Sequence, residues 1–195
     1  MKPLNLSKPH IIIMVGIPGA GKSFFATQFA DTFNAPYLSN DLIRLSAFEA
    51  PTYDDGENDA IGGIEQYMLS ELLKTKLTIV YEGPTETRTA RQELASTARK
   101  AGYEPLFVWV QTESVSAKSR STRSTNGSSV LSSTQFDELI QRFSPPHPTE
   151  NAAVISGKHP YSSQLKIVLR RLVTETAPTE PTATITTPSR HILIR

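Results

Sequence analysis

The most constraining feature of the chain is the run Gly16-Ile17-Pro18-Gly19-Ala20-Gly21-Lys22-Ser23, which follows an apolar segment at 11–15 and precedes a segment of helical spacing at 24–33. It fits the pattern G-x-x-x-x-G-K-[ST] at every position. Glycines in such a run let successive backbone N–H groups turn inward around a phosphate, while the helix that follows presents its positive end. Lys22 is then placed to reach β- and γ-phosphates and the Ser23 hydroxyl to ligate Mg²⁺. The expected nucleotide-binding run is Gly16, Ile17, Pro18, Gly19, Ala20, Gly21, Lys22, Ser23 and Phe24. The dinucleotide fingerprint G-x-G-x-x-G fails, because Phe24 stands where its third glycine belongs.

Around this motif the pattern is one of alternation. Short apolar runs at 11–15, 36–38, 77–81, 106–110 and 152–155 read as strands. Between them, residues 24–33, 61–73, 88–101, 136–143 and 165–173 carry helical spacing. Strands alternating with helices predict an α/β fold, a three-layer P-loop sandwich with a central parallel sheet covered on both faces. Two stretches depart from this pattern. Ser and Thr make up over half of residues 112–134, which predicts a mobile lid that adds little to the core. Residues 174–195, rich in Thr and Pro, predict a disordered tail behind a domain at 1–173. His191 to Arg195 at its end read as a frayed terminus or a segment docked on a sheet edge.

The remaining composition excludes several chemistries. With no cysteine among 195 residues, thiol catalysis, Cys-ligated zinc and disulfides are ruled out. His10, His147, His159 and His191 show no paired metal-ligand spacing. A formal charge of +1 gives no broad surface for nucleic acid. The longest apolar run falls far short of the roughly 20 residues of a membrane span. Gly19, Gly21 and Lys22 then follow where a secretion signal would need its cleavage site. A cytoplasmic protein is expected. No Asn-Lys pair occurs, so the base-reading N-K-x-D element of GTPases is missing.

Four further groups of residues are candidates for the site. Asp41 follows the second strand, where a carboxylate at the sheet's carboxyl edge can accept a proton from an attacking hydroxyl. Arg44, three residues on, would share its helical face and hold an anionic acceptor group; the alternative is a helix cap with an i,i+3 ion pair. Glu82 closes the third strand and either holds Mg²⁺, orients the acceptor, or begins a polar turn. Arg120 and Arg123 are either guanidinium groups that close over the phosphates or solvated charges. Lys118 and Arg91 read as solvated, and the acidic stretch at 49–59 as a loop, either covering the acceptor or free in solvent.

In combination, residues 16–23, Asp41 with Arg44, Glu82 and the pair Arg120/Arg123 resemble the small P-loop kinases typified by the 5′-hydroxyl polynucleotide kinase domain. Zeta-toxin-related kinases are more distant relatives. The resemblance covers about residues 10–173. It implies that Asp41 is the general base, that Arg44 contacts the acceptor, and that Arg120 or Arg123 contacts the phosphoryl donor. Glu82 departs from the usual Asp of that family. The expected activity is ATP- and Mg²⁺-dependent transfer of a γ-phosphoryl to a hydroxyl acceptor: a nucleic-acid end, a nucleoside or another small molecule. The alternative is a nucleotide-binding switch or weak ATPase acting through a protein partner.

Overall fold

The computed structural model describes residues 6–123 and 131–176. Five strands, β1 (His10–Val15), β2 (Tyr37–Ser39), β3 (Ile79–Glu82), β4 (Glu104–Gln111) and β5 (Ala153–Ser156), form one sheet. Its order is β2-β3-β1-β4-β5 and every pairing is parallel. The helices are α1 (Lys22–Phe33), α2 (Asn40–Ala47), α3 (Asp55–Lys74), α4 (Arg88–Lys100), α5 (Ser114–Ser121), α6 (Ser133–Arg142) and α7 (Tyr161–Thr176).

From Ile11 to Val15 β1 is apolar because both of its faces are covered. Ile12 and Met14 pack with Phe25, Ala26 and Phe29 of α1 and Val168 and Leu172 of α7. Ile11, Ile13 and Val15 pack on the opposite face with Leu69 and Leu73 of α3 and Ala95 and Ala98 of α4. The alternation of side chains along the strand makes these two separate cores. β1 lies between β3 and β4, so the chain passes over it on the way from one to the other. The crevice that ligands use in open parallel sheets therefore falls at the carboxyl end of β1, where the glycine run begins.

The sequence expectations need correction in four places. Part of the acidic stretch expected as a loop is the start of α3. Asp54 caps that helix by accepting the Glu57 N–H at 2.8 Å, and Asp55 and Glu57 meet the positive end of its dipole. The Ser/Thr-rich stretch contains α5 and the start of α6, with Ala117 buried; residues 124–130 lie outside the described residues. Helix α7 runs on through Thr176, past the expected start of the tail; residues 177–195, with His191 to Arg195, lie outside the described residues.

Arg91, expected in solvent, is fully buried. Its Nε and Nη2 donate to the two oxygens of Glu150 at 2.7 and 3.0 Å, and Nη1 donates to the carbonyls of Thr85 and Ser144, each at 2.9 Å. The guanidinium thus ties the segment after β3 to the segment after α6. Burial opposes ionisation of Glu150, but the bonds from Arg91 and the His147 amide outweigh it and hold this carboxyl below its ordinary range.

Candidate active site

The site is built from the carboxyl ends of β1, β2 and β3. Residues 16–21 leave β1 and enter α1 through Gly19 (φ 72°) and Gly21 (φ 105°), left-handed conformations that side chains resist. Gly21 caps α1 without any side-chain hydrogen bond, and no acid stands in the first turn. By contrast α2, α3, α4 and α6 are each capped by a side chain, from Ser39, Asp54, Thr87 and Ser132. The N–H groups and positive end of α1 are therefore left to an outside anion. Lys22 Nζ donates to the carbonyls of Gly16 (3.0 Å) and Ile17 (3.3 Å), which hold the ammonium at the first turn of the loop.

Ser23 Oγ donates to Glu82 Oε1 at 2.9 Å, and the Tyr37 hydroxyl donates to Glu82 Oε2 at 2.5 Å. Burial, then the charge of Glu82, and more weakly that of Asp41, push the Tyr37 phenol well above its ordinary range, so it stays a donor. A hydroxyl and a carboxylate side by side below a phosphate loop suit Mg²⁺. This hard ion takes few protein oxygens and completes its shell with water and substrate phosphates. Among the described residues no group of three or more His, Cys, Asp or Glu side chains is placed to hold a metal ion. Ser23 and Glu82 would hold it. Glutamate in place of aspartate is long enough to reach the Ser23 hydroxyl.

Asp41 lies exposed in the first turn of α2, at the end of β2. Arg44, expected to face an anionic acceptor, is instead 5% exposed and ion-paired with Glu57. It also donates to Asn58 Oδ1 at 2.8 Å and stacks 4.4 Å from the centre of the Tyr53 ring. Its charge is spent on tying α2 to α3. Burial opposes ionisation of Glu57, but the Thr52 amide and then Arg44 hold its carboxyl below the ordinary range.

Helix α5 packs directly on the glycine run: a Cβ on Gly19 would run into the Ala117 carbonyl oxygen. Arg120 extends from this helix to donate to the Gly157 carbonyl at 3.4 Å, while Arg123 is exposed beyond the end of α5. Lys118, expected in solvent, pairs with Asp137 at 2.7 Å and joins α5 to α6. The loop is braced from behind by Thr112, whose hydroxyl donates to the Ala20 carbonyl at 2.9 Å, and by Gly157, where a Cβ would strike that same carbonyl. A cleft of about 640 Å³ opens on this β4–β5 side, lined among others by Ile17, Trp109, Phe143 and Lys158. Asp41 and Glu82 lie across the loop on the β2–β3 side.

Sequence reading missed Tyr37, Asn40, Glu65 and Tyr81. Glu65 interrupts the buried face of α3 at the same four-residue spacing as Ile61, Leu69 and Leu73. One of its oxygens accepts from the Tyr81 hydroxyl and the other from the Asn40 side chain. A charged residue inside an apolar stripe was the available signal.

An uncapped helix end behind a glycine loop, a serine hydroxyl on an acid from the neighbouring strand, and a central parallel sheet define a P-loop protein of the small-kinase fold. The chain belongs to the AAA_33 family, an AAA domain, whose profile matches residues 11–146. No curated protein sequence matches it. Among solved structures it is similar to Chaetomium thermophilum Kti12 in complex with ADP-AlF3, at 15% identity and a TM-score of 0.64 over 86% of this chain and 99% of that one. It is similar to a gluconokinase from Sinorhizobium meliloti 1021, at 16% identity and a TM-score of 0.60 over 88% and 95%. A chain of the Pnkp1/Rnl/Hen1 RNA repair complex gives 18% identity and a TM-score of 0.61, but only 45% of that chain is spanned, less than half. At such identities the likenesses establish the fold. Among the described residues no helix is long and apolar enough to cross a membrane.

Proposed function

We propose that the protein is an ATP- and Mg²⁺-dependent phosphotransferase that moves the γ-phosphoryl of ATP to a hydroxyl acceptor. The observation that carries this reading is the Ser23–Glu82 pair beneath the uncapped end of α1, with the Asp41 carboxylate at the end of the next strand. The family and the kinase structures of similar fold support it.

In this reading the N–H groups of Gly19, Gly21, Lys22 and Ser23 and the positive end of α1 receive the phosphates. Lys22 turns from the Gly16 and Ile17 carbonyls to phosphate oxygens. Mg²⁺, when bound, would neutralise charge on the transferring group. Ser23 and Glu82 would hold the metal, and Tyr37 keeps Glu82 oriented toward Ser23. Asp41 takes the proton of the acceptor hydroxyl as its oxygen bonds to the γ-phosphorus and the bond to the β,γ-bridging oxygen breaks, leaving ADP. Arg44 positions Asp41 by fixing α2 on α3. Arg120 swings from Gly157 to the phosphates; an arginine in such a place is worth about 10³ to 10⁵ in rate.

The test follows label from γ-labelled Mg-ATP into a metabolite extract and a 5′-hydroxyl oligonucleotide, with Lys22→Ala as the blank. Label on an acceptor that Lys22→Ala fails to transfer supports the reading. Release of inorganic phosphate alone would replace it with the weak ATPase or switch.

A further inference from the structure

The cleft of about 640 Å³ on the β4–β5 side takes no part in the phosphate chemistry described above. Its volume is that of a small-molecule pocket. Trp109, the chain's single tryptophan, and Phe143 both stand half-buried along it, and Ile140 of α6 adds to its apolar wall. The two charged residues that line it, Glu113 and Lys158, pair with each other at 2.9 Å. What the cleft presents to a ligand is mainly apolar and aromatic surface, edged by uncharged polar groups such as Gln111.

The cleft opens directly onto the glycine loop. Ile17 lines it, and the β1–β4 register sets Trp109 beside Val15, the last residue before that loop. Its aromatic wall also belongs to one particular face of the sheet. Trp109 and Phe143 pack against the core of Ile11, Ile13 and Val15, as does Ile43 of α2, two residues from Asp41. Helix α1, whose end receives the donor's phosphates, covers the other face with Ile12 and Met14. A nucleotide that leaves the loop along α1 therefore lies on the face opposite Trp109, whereas a molecule offering its hydroxyl to Asp41 shares the face of that ring.

We infer that the cleft seats a flat apolar ring of the acceptor against Trp109 and Phe143, which makes the acceptor a ring-bearing alcohol, such as a nucleoside or an aryl glycoside, rather than a bare polyol. The inference rests on the phosphotransfer reading above. β3 and β1 separate β2 from β4, so the strand ends next to Asp41 and Trp109 are three strand spacings apart, about 14 Å. A molecule that spans them has the length of two linked rings, one bearing the hydroxyl and the other in the cleft. A short polyol placed at Asp41 leaves Trp109 in water. Stacking of a flat ring on an aromatic side chain takes both surfaces out of water, and its loss lowers affinity by about tenfold.

The experiment passes a metabolite extract over a reversed-phase column and incubates the retained and unretained fractions separately with the full chain and γ-labelled Mg-ATP. Label in the retained fraction, which holds the ring-bearing alcohols, is expected. Label confined to the unretained polyols overturns the ring and leaves phosphotransfer standing. Label in neither fraction overturns phosphotransfer itself. The labelled acceptor, once purified, should shift the emission of Trp109 saturably in the presence of excess Mg-ADP. Turnover of that acceptor with no change in emission, or a change produced in full by Mg-ADP alone, removes the acceptor's ring from the cleft. Trp109→Leu should raise the KM for the acceptor at least about tenfold while the KM for ATP stays put, and Trp109→Phe should recover most of the loss. An unchanged acceptor KM in a folded Trp109→Leu protein likewise overturns the inference, and where that variant does not fold the emission of the wild type decides.

Discussion

The Ser23 hydroxyl and the Glu82 carboxylate, 59 residues apart in the chain, meet at 2.9 Å across the carboxyl ends of β1 and β3. The contact requires β3 to lie directly beside β1, which the Ile13–Tyr81 register secures. If this pair holds the metal, Ser23→Ala and Glu82→Gln should each raise the Mg²⁺ concentration for half-maximal rate by about 10- to 100-fold, as loss of metal-site groups typically does. Initial rates against Mg²⁺ at fixed ATP measure this, and an unshifted Mg²⁺ dependence in both variants would sink the assignment. Tyr37→Phe should produce a smaller shift in the same direction, since it leaves one Glu82 oxygen without its donor.

Asp41 is exposed in the first turn of α2 and lends itself to substitution without damage to the core. Asp41→Asn keeps the shape and removes the base. Its kcat should fall by roughly 10² to 10⁴ while ATP binding is nearly unchanged. Titration with ADP and steady-state rates with the acceptor found above give the two numbers, and full turnover in the variant would take Asp41 out of the mechanism.

The buried Arg91–Glu150 pair gives a pH-dependent stability. The Glu150 carboxyl is depressed from its ordinary 4.5, so the stability it contributes is complete above that value and is lost as pH falls through the lower folded value. Glu150→Gln should cost about 3 kcal/mol at neutral pH, because Arg91 is left buried without its counter-charge. The gap between wild type and variant should narrow below pH 4.5. Urea unfolding at neutral and acid pH checks this; a gap that stays constant with pH would contradict the linkage.

The sheet was legible because parallel strands covered on both faces must be continuous apolar runs, and β1 is one from Ile11 to Val15. The phosphate loop was legible because its chemistry is local: backbone turns, one lysine and one hydroxyl in consecutive positions. What escaped was everything settled by distant partners. Arg91 and Glu150 are 59 residues apart, and nothing in either neighbourhood announces the pair. Arg44 was read toward an anionic acceptor because its neutralising partner, Glu57, sat in a stretch taken for loop. Helix α5 was missed because its Ser-rich sequence gives no apolar stripe; Ala117 packs it against a glycine and Lys118 pairs it with Asp137 of α6. The strand-end positions of Asp41 and Glu82 were legible from a rule of topology, whereas the contacts of Tyr37 and Glu65 needed the actual packing of β2, β3 and α3.

Gly157 gives the sharpest test of how the loop is held, since it lies far from the motif in sequence and does no chemistry. Its amide donates to the Gln111 carbonyl at 2.9 Å, which joins the ends of β4 and β5 behind the loop. A methyl group there would collide with the Ala20 carbonyl and the Thr112 hydroxyl, the pair that braces the loop at 2.9 Å. One of the two must move, and Ala20 is backbone between Gly19 and Gly21, so displacement passes directly to the phosphate-binding amides. Gly157→Ala should therefore weaken ADP binding by about tenfold or more, in line with the 1 to 3 kcal/mol typical of overpacking. Thr112→Val, which removes the brace without adding bulk, should weaken it less. Calorimetric titration with ADP ranks the variants, and wild-type affinity in Gly157→Ala would mean that the loop keeps its shape without support from β5.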